Sequence, residues 1–165
     1  MTIDEVLTVL EDNPRRIAAH TAGLPRTRVH KTPVLGEWTV NDVLAHLRSC
    51  SDARGEFMRS MLAEQRPTLR AVDPRTLLEQ TGYRELEFGP SLRSFVRQRA
   101  RLLAFLRALP RKSWSRTAVV TGGGPARERT VLFYARWLAH HERAHVRRLA
   151  RTLQPAPARN SSSGM

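Results

Sequence analysis

Two imidazoles one helical turn apart offer the first chemistry in this chain. They are His141 and His145, within Leu138-Ala-His-His-Glu-Arg-Ala-His-Val146. On a helix their rings leave from one face, and an i, i+4 pair of this kind can grip a single metal ion. The surrounding pattern is helical from about Thr130 to Leu153, with Val131, Tyr134, Leu138, His141, His145 and Leu149 at steps of three and four. The two histidines therefore continue a core-facing stripe, where an unsatisfied polar group costs roughly 1–3 kcal/mol. Either they are core histidines bonded to backbone or to each other, or they meet a metal. A third imidazole, His46, lies on the apolar stripe of another long helical segment, which favours the metal. His140 is rotated about 100° from His141 and points elsewhere.

His141-Glu142-Arg143-Ala144-His145 also spells HExxH, the metalloprotease motif in which the glutamate is the general base and a third ligand follows. Only Val146 to Met165 follow here, and they contain no His, Asp or Glu. A third ligand has to come from upstream, so the peptidase reading loses its support. Glu142 is then a candidate to orient a ligating histidine from behind, or a side chain in solvent.

The elements that must position these residues read as helices. Thr2-Ile-Asp-Glu5 is a capping box opening a first helix, and Asn13-Pro14 reads as a second start that runs to about Thr21. His20 and His30, near that end and in the following loop, read as exposed or capping residues. Thr39 with Asp42 forms a second capping box, with Trp38 placed to staple onto Val43. The helix it starts runs to about Gln65 and buries Val40, Val43, Leu47, Cys50, Phe57, Met58 and Met61, with His46 in the same stripe. Pro67 to Asp73 reads as a loop, Arg75 to Gln80 as a short helix ended by Gly82, and Ser91 to Ala108 as a third long helix stopped by Pro110. Ser113 to Arg129 lacks helical periodicity. Thr117 to Val120 reads as a short strand, and Gly122-Gly-Gly-Pro125 as a loop, expected to cover a site mouth. The fold class is all-α, a four-helix bundle with short extra helices and a small hairpin or loop near 115–129.

At 165 residues the chain is expected to form one domain over residues 1–153, with residues 154–165 a disordered tail rich in Pro and Ser. No apolar run approaches the ~20 residues of a membrane helix. The N-terminus lacks a secretory pattern and there is one cysteine, Cys50, so a reducing cytoplasm is expected. The net charge of +13 invites a nucleic-acid reading. Against it, only Lys31 and Lys112 are lysines, the arginines are dispersed over every segment, and few aromatics are interleaved with them. A solvated surface explains the charge better.

Gly36-Glu-Trp38-Thr-Val-Asn-Asp-Val-Leu-Ala-His46-Leu47, followed by His141 and His145, resembles the DinB/YfiT superfamily over roughly residues 3 to 153. The resemblance implies a four-helix bundle in which three histidines bind a divalent metal, usually zinc or nickel. Carried over residue by residue, the ligands are His46, His141 and His145. Ala144 stands where members often have a further histidine, and Arg147-Arg148 where a glutamine is often found.

Three neutral histidines leave a coordination position open, so the ion can activate water or take a thiol as its thiolate. The resemblance accordingly implies a metal-dependent hydrolase, or a transferase using a low-molecular-weight thiol such as mycothiol or bacillithiol. Cys50, one turn after His46, either lies near the metal or is a small buried hydrophobe. The expected partners are a small-molecule substrate and a second copy of the chain docked on a helix face, with no membrane. The competing reading is a non-enzymatic basic bundle that binds nucleic acid or acts in stress response, its metal structural or absent.

Overall fold

The structure is a computed structural model and describes residues 1–32 and 37–153. Gly36 and the expected tail, residues 154–165, lie outside the described residues. Helix α1 (Ile3–Thr21) leads through a short α2 (Arg26–Val29) to α3 (Val40–Ala63). Helix α4 (Pro74–Thr81) precedes α5 (Phe88–Arg107), and α6 (Val131–Leu153) ends the described chain. The four long helices α1, α3, α5 and α6 form the expected all-α bundle. α1 and α3 each pack on both α5 and α6, so α1 and α3 occupy one diagonal of the bundle.

Local chemistry starts these helices where the sequence says. Thr2 Oγ1 accepts from the Glu5 amide at 3.2 Å, and Glu5 Oε2 accepts from the Thr2 amide at 2.7 Å. Thr39 and Asp42 repeat the exchange at 3.0 and 2.9 Å. Each box satisfies amides that the first turn would otherwise leave without partners.

Four local expectations are corrected. The helix does not restart at Asn13-Pro14, because α1 runs unbroken with Pro14 inside it. Pro14 gives up one backbone hydrogen bond. Asn13 is not a cap, since its side chain is spent across the bundle on Glu142. Helix α5 begins at Phe88, ahead of Gly89-Pro90, which is tolerated because an amide is not needed in the first turn. The loop from Pro67 to Asp73 contains strand β1 (Thr68–Arg70). It pairs parallel with β2 (Thr117–Thr121), which pairs antiparallel with β3 (Arg127–Thr130).

Nor does the glycine-rich loop between β2 and β3 cover the mouth of the histidine site. This small sheet sits where α3 ends and α6 begins. There Arg116 donates to the Met61 and Glu64 carbonyls at 3.1 and 2.6 Å. His46 lies about 22 Å back along α3 from Met61, at 1.5 Å per residue. The hairpin therefore closes the far end of the bundle. Gly122 is required in it: its φ is 88°, and a Cβ would stand 2.6 Å from the Ala71 carbonyl.

The apolar interior falls into two clusters. Val6, Leu10, Met58, Met61, Leu102, Leu106 and Leu138 fill the sheet end. Ile17, Leu44, Leu47, Phe95, Val146 and Leu149 fill the other. Between them is a buried polar layer with one residue from each long helix: Asn13, Ser51, Arg99 and Glu142. Glu142 pairs with Arg99 and accepts from Asn13 Nδ2 at 3.2 Å, and Arg99 Nη2 reaches Ser51 Oγ at 3.4 Å. Burial pushes the Glu142 carboxyl up, against the Arg99 guanidinium and the Asn13 amide, which hold it down.

Truncating one member of this layer strands a buried charge. Glu142→Ala should cost about 3–5 kcal/mol in urea denaturation, whereas the double change Arg99→Met with Glu142→Leu should recover most of that loss.

Candidate metal centre

Helix α3 carries His46, Cys50 and Arg54 at four-residue steps, and α6 carries Trp137, His141 and His145 at the same spacing. His46 lies beside His141 and His145, while Arg54 lies beside Tyr134 and Trp137, so the two helices run antiparallel and the two rows face each other. The three sequence-predicted histidines come together as a triangle of rings. Their centroids are 4.9 Å apart for His46–His141, 4.9 Å for His46–His145 and 4.7 Å for His141–His145.

The donor atoms are closer still. His46 Nε2 and His141 Nε2 are 3.0 Å apart, and Cys50 Sγ is 3.8 Å from each ring nitrogen of His46. His46, Cys50 and His141 place one ligand atom each within 4.8 Å of the others. His145 joins this group through its ring rather than through a donor atom at that range. Cys50 is thus beside the histidines, fully buried, rather than merely filling the core.

Two indoles hold the imidazoles. Trp137 stacks on His141 with centroids 4.5 Å apart and planes 13° from parallel. Trp38 meets His46 edge-on at 4.7 Å and lies nearly parallel to His145 at 6.2 Å. Trp38, placed by the capping box of α3, thus lies against the histidines and lines one cleft with Val43.

The cluster is electrically unusual. Burial, with His145 beside it, pushes His46 down to about 4. Burial and the neighbouring His145, His46 and Arg54 push His141 down to about 3. His145 is lowered by burial and by Arg148. All three are neutral imidazoles near pH 7. Burial pushes the Cys50 thiol up to about 12, although Arg54 pulls the other way.

The donor separations suit a divalent ion. Bonds of ~2.0–2.1 Å in tetrahedral geometry put two imidazole nitrogens about 3.3 Å apart, and a nitrogen and a thiolate sulfur about 3.6 Å apart. The separations here are 3.0 and 3.8 Å. His141 Nδ1 is buried without any protein partner, so the protein itself does not use this ring fully. Neutral nitrogen donors with an adjacent thiol suit a borderline-soft ion.

Glu142 is not part of the cluster. Its carboxylate is fully buried on Arg99 and Asn13, so it neither faces solvent nor bonds any of the three histidines. It is not placed to act as the base of an HExxH site. His140 is exposed and within 3.3 Å of the Arg143 guanidinium, His30 is exposed at the end of α2, and His20 is half-buried in the last turn of α1. The sequence reading passed over Trp137 and Arg54. Their spacing was a usable signal, since Trp137 is one turn before His141 and Arg54 two turns after His46.

A family model described as the DinB superfamily matches residues 10–149. The solved structure of YfiT from Bacillus subtilis, described as a probable metal-dependent hydrolase with an unusual four-helix bundle topology, has the same fold. It aligns with a TM-score of 0.73 and 23% identity, over 90% of this chain and 86% of that one. Comparison with curated proteins returns no match. No helix among the described residues is long and apolar enough to cross a membrane.

The lowered histidines fix a pH dependence. Each binds its proton more weakly folded than unfolded, so folding takes full benefit above the ordinary value of 6.5. That benefit drains away as pH falls toward about 4 and 3. Melting temperature should fall steeply between pH 6.5 and 4, and His141→Phe should flatten the decline.

Proposed function

The chain belongs to the DinB superfamily, and from that premise we propose that His46, His141 and His145 hold a divalent metal ion, zinc or nickel, in an enzyme acting on a small-molecule substrate. The observation that carries this reading is the triangle itself. Three neutral imidazoles from two facing helices sit with their rings within 4.9 Å, and no carboxylate is bonded to any of them among the described residues. Three histidines leave a coordination position open, as catalytic rather than structural sites do.

When bound, such an ion would supply Lewis acidity, the chemistry shared by hydrolysis and by transfer from a low-molecular-weight thiol. The chain's own residues have separate tasks. Trp137 and Trp38 fix the ring planes of His141, His46 and His145, so little rotamer freedom is lost when the site is used. The half-buried His141 and His145 mark the side from which a substrate arrives. Glu142 keeps α6 in register and takes no part in proton transfer. We favour hydrolysis, or S-transfer from a thiol cofactor, over proteolysis for that reason.

A second reading of the ligand set rests on one observation. Cys50 Sγ, not a His145 nitrogen, completes the tightest group of donor atoms. Replacing a histidine by a thiolate would lower the charge of the site and favour zinc, which thiolate suits as well as imidazole does.

Plasma mass spectrometry on untagged protein decides both points. Wild type should carry about one zinc or nickel per chain, and His46→Ala and His145→Ala should each lose most of it, as expected when one of only three or four ligands is removed. Cys50→Ser should keep its metal if the histidines suffice, and lose it if the thiolate is a ligand. A wild type that takes up neither ion after dialysis against both would refute the metal centre.

A further inference from the structure

We infer that Arg54 binds the anionic end of the substrate, so that this site takes a carboxylate or similarly charged small molecule rather than a neutral one. The inference rests on the metal reading above and deepens it. It starts from buried charge. Among the described residues the buried charged side chains are Arg48, Arg54, Arg99 and Glu142, and Arg54 is only 8% exposed. Arg99 is neutralised by Glu142, and Arg48 donates to Ser91 Oγ at 2.7 Å while lying 3.8 Å over the Tyr83 ring. Arg54 has aromatic neighbours but no polar partner. Among the described residues it makes no ion pair or hydrogen bond, and its Nε is sealed from solvent without a partner.

What surrounds Arg54 is an aromatic cage. Its guanidinium carbon is 4.8 Å from the Trp137 ring centre and 5.4 Å from those of Phe57 and Tyr134. Ring faces attract a cation but accept no hydrogen bond in the guanidinium plane, so the two terminal nitrogens keep their capacity for a planar, two-oxygen acceptor. The cage also adjoins the histidine cluster. Trp137 stacks on Arg54 and on His141, so one indole joins the arginine to the histidine cluster. Arg54 is near enough to lower both His141 and Cys50.

The charge balance then identifies the missing partner. Three neutral histidines, a divalent ion and Arg54 make a partly buried site of about three positive charges, and isolated buried charge is strongly unfavourable. Glu142, the buried acid of this layer, is already committed to Arg99. An anionic group reaching the guanidinium would supply the counter-charge. The protein's own alternative is a Cys50 thiolate.

The test uses full-length, 15N-labelled protein with its zinc content measured, benzoate as the probe and benzamide as its neutral counterpart. The reporter is the indole N–H of Trp137, assigned by its loss in Trp137→Phe. Benzoate should shift that resonance saturably in wild type, and benzamide should not. Arg54→Gln should weaken benzoate at least about tenfold with its zinc unchanged, and Arg54→Lys should recover part of the affinity. Equal benzoate binding by wild type and Arg54→Gln would overturn the inference. So would zinc-loaded wild type that ignores benzoate, the result expected if Cys50 supplies the counter-charge. Loss of zinc from Arg54→Gln would likewise mean that the residue only supports the fold. Should Arg54→Gln not fold, Arg54→Lys decides: weaker benzoate binding with zinc retained supports the inference, and affinity equal to wild type overturns it. A wild type that holds no zinc overturns the metal reading itself, and zinc content reports that separately from the titration.

Discussion

A buried carboxylate in the middle of a four-helix bundle is the constraint on which the rest of this structure depends. Glu142 lies between two apolar clusters, and its charge has to be met by Arg99 from α5 and Asn13 from α1. Water does not reach it, so α6 has little rotational freedom: turning the helix by one residue would replace the carboxylate with His141 or Arg143. With Glu142 facing the centre, the positions one before and three after it are turned toward α3. Those positions are His141 and His145. The pair in the core therefore aims the imidazoles without touching them.

The same layer accounts for the glutamate of the HExxH spelling. A helix that carries an i, i+4 histidine pair and is also anchored by a carboxylate next to the first histidine must spell the motif. In a protease the glutamate faces the metal side. In this chain the carboxylate is spent on Arg99 and Asn13 instead. The physical context of the residue, not its spacing, decides what the glutamate does.

The histidine cluster is assembled at a cost in charge that shapes its chemistry. Three rings this close cannot all be protonated, and burial keeps them neutral, so lone pairs are presented without competing protons. Two indoles then restrict the rings, in place of the carboxylate or carbonyl that commonly orients a ligating histidine. Arg54, caged by aromatic faces and left without an acid, makes the surroundings of the cluster positive.

Much of this was legible in the residue order. Capping boxes at Thr2 and Thr39, the long apolar stripes and the near absence of strand pattern determine four helices, because those signals are local and period-bound. The spacing of His141 and His145, with His46 on a second stripe, and the resemblance of Trp38 to Leu47 to a known family marked the candidate ligands. What the tertiary structure alone decided depends on partners far away in sequence. Asn13 reads as a cap until Glu142, 129 residues later, claims its amide. Thr68 to Arg70 is too short for its alternation to signal a strand, and becomes one only because β2 offers an edge to it. Glycines after β2 look like a cover for the site until the antiparallel run of α3 and α6 puts hairpin and histidines at different levels of the bundle. Trp137 and Arg54 carry their spacing openly, but only the facing of two helices shows that one holds a ring and the other lacks a counter-charge. Local periodicity is written in a sequence; which buried charge meets which partner is settled only when helices pack.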